Sequence, residues 1–273
     1  MKIRLLFLAV LLTGLSACEW GSPTKKAPHD IFTDTLVYTY QVVHERATDC
    51  GNKPDSTCSI VKIKYPLFKT ERALNDTIKN RLLNLFTVDN KPDTGYNSMA
   101  KHFLKSYIDF KKQNPESVMY YTLDSYAKVI EQDSGLVAVE YGGYTFQGGA
   151  HGASFTGYIN WGVNSKKNVV LDDILKPGTY NEFVKTAERI FRKDEKLKDT
   201  SSLARDYFFK DNKFTLNDNY SITPLGITFM YNQYEIKPYA AGQTKLFIPY
   251  QQIKSLMLPG SVAAQYIKRD AGI

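Results

Sequence analysis

The sequence predicts an α+β fold made of two packed subdomains, each an antiparallel sheet with helices on one face. Three observations predict it. Segments that alternate apolar and polar residues, the period of a half-buried strand, cluster at 36–45, 59–65, 117–145 and 220–248. Segments with apolar residues at helical spacing lie between these clusters, at 74–85, 98–110 and 183–191. Grouped strands and grouped helices argue against a regular βαβ repeat. Composition supplies the third observation: 273 residues with 43% hydrophobic and 13% aromatic content suffice for a core, and Tyr (19) exceeding Phe (15) suits half-exposed strands.

The chain opens on Met1-Lys2-Ile3-Arg4, an apolar run at 5–12, and Thr13-Gly14-Leu15-Ser16-Ala17-Cys18, the order of a secretory signal. The apolar run is too short to span a bilayer, which takes about 20 residues. Leu15-Ser16-Ala17-Cys18 resembles the lipobox of bacterial lipoproteins, so 1–17 read as a signal peptide and Cys18 as the acylated residue, bearing palmitate-type chains. The expected location is the cell envelope, lipid-anchored on a periplasmic or outer-membrane face. Residues 18–32, with Gly21, Ser22, Pro23 and Pro28, read as a flexible tether. The folded body then divides into an N-terminal subdomain at 33–150 and a C-terminal one at 151–260, with 261–273 as a loose tail.

Within the body, Cys50 and Cys58 close a short loop rich in Gly, Asn, Pro and Asp. In an exported protein such cysteines pair, and the bridge is expected to pin the open end of a long hairpin formed by 36–45 and 59–65. Leu74, Ile78, Leu82 and Leu85 mark one helix; Phe103, Tyr107 and Phe110 mark a second behind a Ser98 cap. Strands follow at 117–125, 127–132 and 136–145, the last two joined at Asp133-Ser134-Gly135. After a glycine-rich interruption, Gln147-Gly148-Gly149-Ala150-His151-Gly152, comes a strand at 154–163. A helix with Phe183, Val184, Ala187, Ile190 and Phe191 on one side starts near Pro177-Gly178-Thr179. Strands at 220–223, 227–231 and 245–248 and a short helix near 251–258 complete the pattern.

Charge excludes one partner class. The net charge of +7 falls by two when Lys2 and Arg4 leave with the signal, and the remaining basic residues are spread in pairs such as Lys111-Lys112. No basic tract is dense enough for nucleic acid. The four histidines, His29, His44, His102 and His151, lack HExxH spacing, and the cysteines lack CxxC spacing, so neither a metal nor another cofactor is expected.

Four motifs in order carry a family resemblance: Gly148-Gly149-Ala150-His151-Gly152, Leu171-Asp172-Asp173-Ile174-Leu175, the run Phe229-Met230-Tyr231-Asn232-Gln233-Tyr234-Glu235-Ile236-Lys237-Pro238-Tyr239-Ala240-Ala241-Gly242, and Phe247-Ile248-Pro249-Tyr250. Together they resemble the carboxy-terminal domain of the RsiV group of anti-sigma factors, domain of unknown function family 3298. The region from Tyr65-Pro66 to Gly143 is similar to the domain that accompanies it in RsiV-like ectodomains and some peptidoglycan deacetylases. The resemblance covers residues 33–259 and implies an α+β ectodomain at the cell envelope, which in RsiV recognises lysozyme. The sigma-binding segment and the deacetylase catalytic domain have no counterpart in these residues, so neither activity carries over.

Candidate site residues are few. His151 sits among glycines that let a backbone or sugar approach, with Glu140 one strand back as a possible orienting carboxylate. Its other reading is a hydrogen bond to a loop carbonyl that holds the two subdomains together. Asp172-Asp173 read either as a metal pair or as a cap on the following turn. The stretch with Tyr231, Tyr234, Glu235, Pro238 and Tyr239 forms an aromatic loop, a composition suited to binding surfaces, unless the rings pack inward. No catalytic residue is assigned. The function expected is that of a non-enzymatic envelope lipoprotein that binds a lysozyme-like glycosidase or cell-wall glycan, through His151, Tyr234, Glu235, Pro238 and Tyr239. A cell-wall polymer hydrolase using His151 is the alternative.

Overall fold

Six strands lie side by side in chain order in the first sheet: β1 (Tyr38–Arg46), β2 (Ile60–Phe68), β3 (Thr122–Gln132), β4 (Leu136–Phe146), β5 (Ala153–Gly162) and the two-residue β6 (Lys167–Asn168). The structure, a computed structural model, describes residues 36–269; the expected signal peptide, Cys18 and the expected tether lie outside them. Every neighbouring pair is antiparallel except β2 and β3, which run parallel from Ile60↔Thr122 to Lys64↔Tyr126. The reason is the connection. Between them the chain forms α1 (Arg72–Leu83) and α2 (Tyr96–Gln113), long enough to cross over and return in the same direction.

Both helices cover one sheet face. Leu74, Ile78 and Leu82 of α1, with Ala100 and Phe103 of α2, are buried against Val61, Ile63, Leu123, Val137 and Val139. Apart from Ala100, each such side chain contributes about 1.5–3 kcal/mol by leaving water. Leu85 lies past the end of α1, and Ser98 is not the residue before α2. It sits in the first turn instead, where its hydroxyl oxygen accepts from the Gly95 N–H at 3.1 Å. This satisfies a backbone group at the helix start from a different position than expected.

Residues 117–121 are not a strand, and β3 continues unbroken through Tyr126 to a bulge between Val129 and Glu131. β5, expected in the second subdomain, pairs with β4 from Leu136↔Gly162 to Thr145↔Ala153 and so belongs to the first sheet. The loop between β1 and β2 carries the Cys50–Cys58 disulfide. Closing so short a loop contributes roughly 2–3 kcal/mol. Thiol labelling of the unreduced, denatured protein is expected to find neither cysteine free, and two titratable thiols there would overturn the bridge.

The second sheet is the antiparallel order β7 (Tyr220–Ile222), β8 (Gly226–Tyr231), β9 (Thr244–Pro249), with α3 (Tyr180–Asp194) and α4 (Tyr250–Ile253) packed on it. Phe183 and Phe191 of α3 join Phe229, Tyr231 and Ile248 in its core. Asparagine amides join the two sheets at the edge of β5. Asn160 donates to the Tyr220 carbonyl and accepts from the Ile222 N–H, both at 2.8 Å. Asn219 donates to the Thr156 carbonyl at 2.8 Å and accepts from the Tyr158 N–H at 3.1 Å. Asn232 accepts from the Thr156 N–H at 2.8 Å and donates to its carbonyl at 3.0 Å. A side-chain amide has one donor group and one acceptor, as a peptide does, so these residues do for an open sheet edge what another strand would.

The expected loose tail is corrected as far as residue 269. It forms α5 (Ala264–Arg269), with Ala263 and Tyr266 buried in the second core. Tyr266 donates its hydroxyl proton to Asp133 Oδ2 at 2.5 Å, and Gln265 donates to the same oxygen at 3.1 Å. Among the described residues no helix is long and apolar enough to cross a membrane.

Candidate functional site

Two loops meet at one end of the β4–β5 hairpin. The first is the glycine-rich turn at 147–152. Gly148 and Gly149 take φ of +98° and +90°, a region closed to most L side chains. Gly152 matters for a different reason: a Cβ there would lie 2.3 Å from the Tyr144 ring, which would have to move aside. The second loop connects β8 to β9. Its turn is tied by Glu235, whose carboxylate accepts from the Asn232 N–H at 2.8 Å and the Asn217 amide at 2.5 Å, while Tyr234 takes φ of +66°. Ile236 is buried beneath it, and Lys237 pairs with Glu195 at 2.6 Å.

The result is a ledge of three rings. His151 stacks on Tyr239 with centroids 3.8 Å apart and planes inclined by 19°. Tyr234 stands 5.5 Å from Tyr239 and 6.2 Å from His151. Gly152's carbonyl accepts twice, from the Tyr239 hydroxyl at 3.0 Å and from His151 Nδ1 at 2.9 Å. Donation from Nδ1 leaves Nε2 of the neutral ring as an acceptor facing the Tyr234 hydroxyl, 3.4 Å away. Each aromatic contact contributes about 0.5–1.5 kcal/mol beyond buried area, so the rings are held in place before any ligand arrives. Tyr234 remains 58% exposed; Tyr239 is half-buried, and Pro238 and His151 are exposed.

The two readings of the aromatic loop thus divide by residue. Tyr231 is core, its hydroxyl donating to the Thr215 carbonyl at 2.8 Å, whereas Tyr234 and Tyr239 form the ledge. Both carboxylate oxygens of Glu235 are engaged in the turn. Glu140 does not orient His151. It accepts from Tyr126 at 2.8 Å and pairs with Lys128 at 2.9 Å, and burial followed by this carboxylate pushes the Tyr126 pKa up to about 12. Asp173 caps its turn, accepting from the Val170 N–H and Lys167, which together lower its pKa. His44 pairs with Asp55 and His102 with Asp93, and among the described residues no group of three or more His, Cys, Asp or Glu is placed to hold a metal ion. Sequence reasoning missed the role of the asparagines, although Asn160 between Ile159 and Trp161, in a strand where asparagine is disfavoured, was a visible signal. It also missed Tyr144 behind Gly152.

Fold and site together describe an α+β protein with an aromatic ledge displayed at the junction of two subdomains. Residues 172–251 match the family model of a protein of unknown function, DUF3298, and residues 52–154 match the model of the deacetylase PdaC. The chain thus carries a region that matches the DUF3298 domain and, ahead of it, a region that matches PdaC. A DUF3298 family protein from Pseudomonas aeruginosa PAO1 superposes with a TM-score of 0.62 at 24% identity, covering 83% of this chain and 96% of that one. A second, from Bacteroides fragilis NCTC 9343, gives 0.65 at 21% identity, covering 86% and 99%. At these identities the likeness is one of fold. No curated protein matches.

Proposed function

We propose that this chain is a lipid-anchored lipoprotein of the bacterial cell envelope that binds without catalysing, and that its partner is cell-wall glycan lying across His151, Tyr234 and Tyr239. The ledge carries the reading. A pyranose presents a face of C–H groups and a rim of hydroxyls; the rings suit the face, and the tyrosine hydroxyls suit the rim. A lysozyme-like glycosidase, the partner implied by the RsiV resemblance, is favoured less, because a basic glycosidase would approach a chain that stays net positive after the +7 of the full sequence loses Lys2 and Arg4. Hydrolysis through His151 is favoured less as well. Its ring nitrogens face a carbonyl and a phenol, with no carboxylate to orient a general base.

The anchor is tested by Cys18→Ser, which is expected to abolish lipid labelling and move the protein to the soluble fraction. Membrane retention of that variant in high salt would overturn the lipoprotein reading. The partner is tested by sedimentation with purified cell-wall sacculi. Tyr239→Ala is expected to weaken capture by about 2 kcal/mol, roughly 30-fold. Because Tyr239 also holds the ledge together, the more exposed Tyr234→Ala serves beside it, with thermal unfolding recorded for both. Wild-type protein that ignores sacculi but captures lysozyme would overturn the glycan reading, and release of soluble fragments would overturn the non-catalytic one.

A further inference from the structure

We infer that the cleft between the two subdomains is a second ligand site, shaped for a free amino acid that carries an extra amine. The cleft has a volume of about 590 Å³, within the usual range for small-molecule sites. It is composite. Arg81 comes from α1, Tyr158 from β5, Asn168 from β6, Asp172 and Tyr180 from the segment entering α3, and Asp218 from the approach to β7. Neither the PdaC-matching region nor the DUF3298 domain would form it alone, and junctions of this kind are where ligand sites are commonly found.

The charges in the cleft are not paired with one another or with other charges of the fold. Among the described residues Arg81, Asp172 and Asp218 form no ion pair; the Arg81 guanidinium lies over the Tyr141 ring at 6.0 Å and hydrogen-bonds that side chain, a neutral partner that leaves its charge uncompensated. Asn168 adds a buried side-chain oxygen with no hydrogen-bond partner, which a ligand N–H would satisfy. Burial, then Asp218 and Asp172, raise the pKa of Tyr180, so its hydroxyl stays protonated as a donor.

The sign of the lining selects the ligand class. One guanidinium against two carboxylates makes the cleft net negative within a chain of net charge +7. A phosphate or dicarboxylate would be repelled by Asp172 and Asp218, and a divalent cation by Arg81. One carboxylate for Arg81 and two ammonium groups for the aspartates neutralise all three, which is the charge pattern of lysine and its analogues. Tyr158 and Tyr180 offer aromatic surface to the aliphatic stem between the charges.

The test is calorimetric titration of the full-length protein with L- and D-lysine. Saturable binding is expected, with lysine methyl ester and norleucine each weaker by about tenfold or more. Arg81→Gln is expected to remove the preference for lysine over its ester, and Asp218→Asn the preference over norleucine. Tyr234→Ala, on the ledge, is expected to leave lysine binding unchanged. No saturation by about 10 mM of either enantiomer, a concentration matching very weak affinity, would overturn the proposal. So would folded Arg81→Gln and Asp218→Asn proteins that bind lysine as the wild type does.

Discussion

Asp133→Ala is expected to lower the unfolding free energy by about 4 kcal/mol, among the largest single-residue losses away from the apolar cores. The carboxylate is buried and serves two distant parts of the chain. Oδ1 accepts from the Gly135 and Leu136 N–H groups at 2.7 and 2.9 Å, shaping the β3–β4 turn. Oδ2 accepts from Tyr266 and Gln265 of α5. Removing it orphans several donors, and each buried one costs about 1–3 kcal/mol. For a domain of this size, about 2–4 °C of melting temperature accompanies each kcal/mol, so a fall near 10 °C is expected by calorimetry. A loss below about 1 kcal/mol would mean that α5 is not held through this residue.

A milder partner variant adds a pH signature. Burial, followed by the Asp133 carboxylate, raises the pKa of Tyr266 above its ordinary value of 10.0. The neutral phenol is therefore favoured in the folded state. Its contribution is complete below pH 10 and is lost as the pH climbs through the raised value. Tyr266→Phe is accordingly expected to weaken the protein at neutral pH while flattening its alkaline loss of stability.

Asn160→Leu is expected to cost about 3 kcal/mol despite conserving volume. The leucine would leave the Tyr220 carbonyl and the Ile222 N–H without partners in a buried seam. The Ile222 amide should then exchange with solvent faster than the rest of β7–β9, because the seam opens locally. Unchanged exchange with unchanged stability would show that apolar packing alone joins the sheets. Asn232→Ala should cost less, since its neighbourhood is half-exposed and water can replace the amide.

Most elements could be read from periodicity because their causes are local. Leu74, Ile78 and Leu82 declare α1, and Phe183, Ala187 and Ile190 declare α3, by spacing alone. Strand pairing is not local. Nothing in residues 60–68 and 122–132 says that these two strands run parallel, and nothing in 153–162 says that the strand faces β4 rather than the second sheet. The candidate site divides in the same way. His151 was singled out by its glycines, and Tyr234 and Tyr239 by their aromatic loop, each from composition within a few residues.

What the sequence determined by itself is thus most of the elements, the core faces of the helices, the disulfide and the chemistry of each candidate loop, all consequences of residues close in the chain; α5 and the full run of β3 were not among them. What only the tertiary structure decided is which of these meet. His151 and Tyr234 lie 83 positions apart in sequence, and they become neighbours because Asn219 and Asn232 lock the second sheet to the edge of β5 at Thr156 and Tyr158. Arg81 and Asp218 reach one cleft through the same docking. Side-chain amides that replace a strand at a sheet edge leave no periodic trace in the sequence, since their register is set by the two sheets they join.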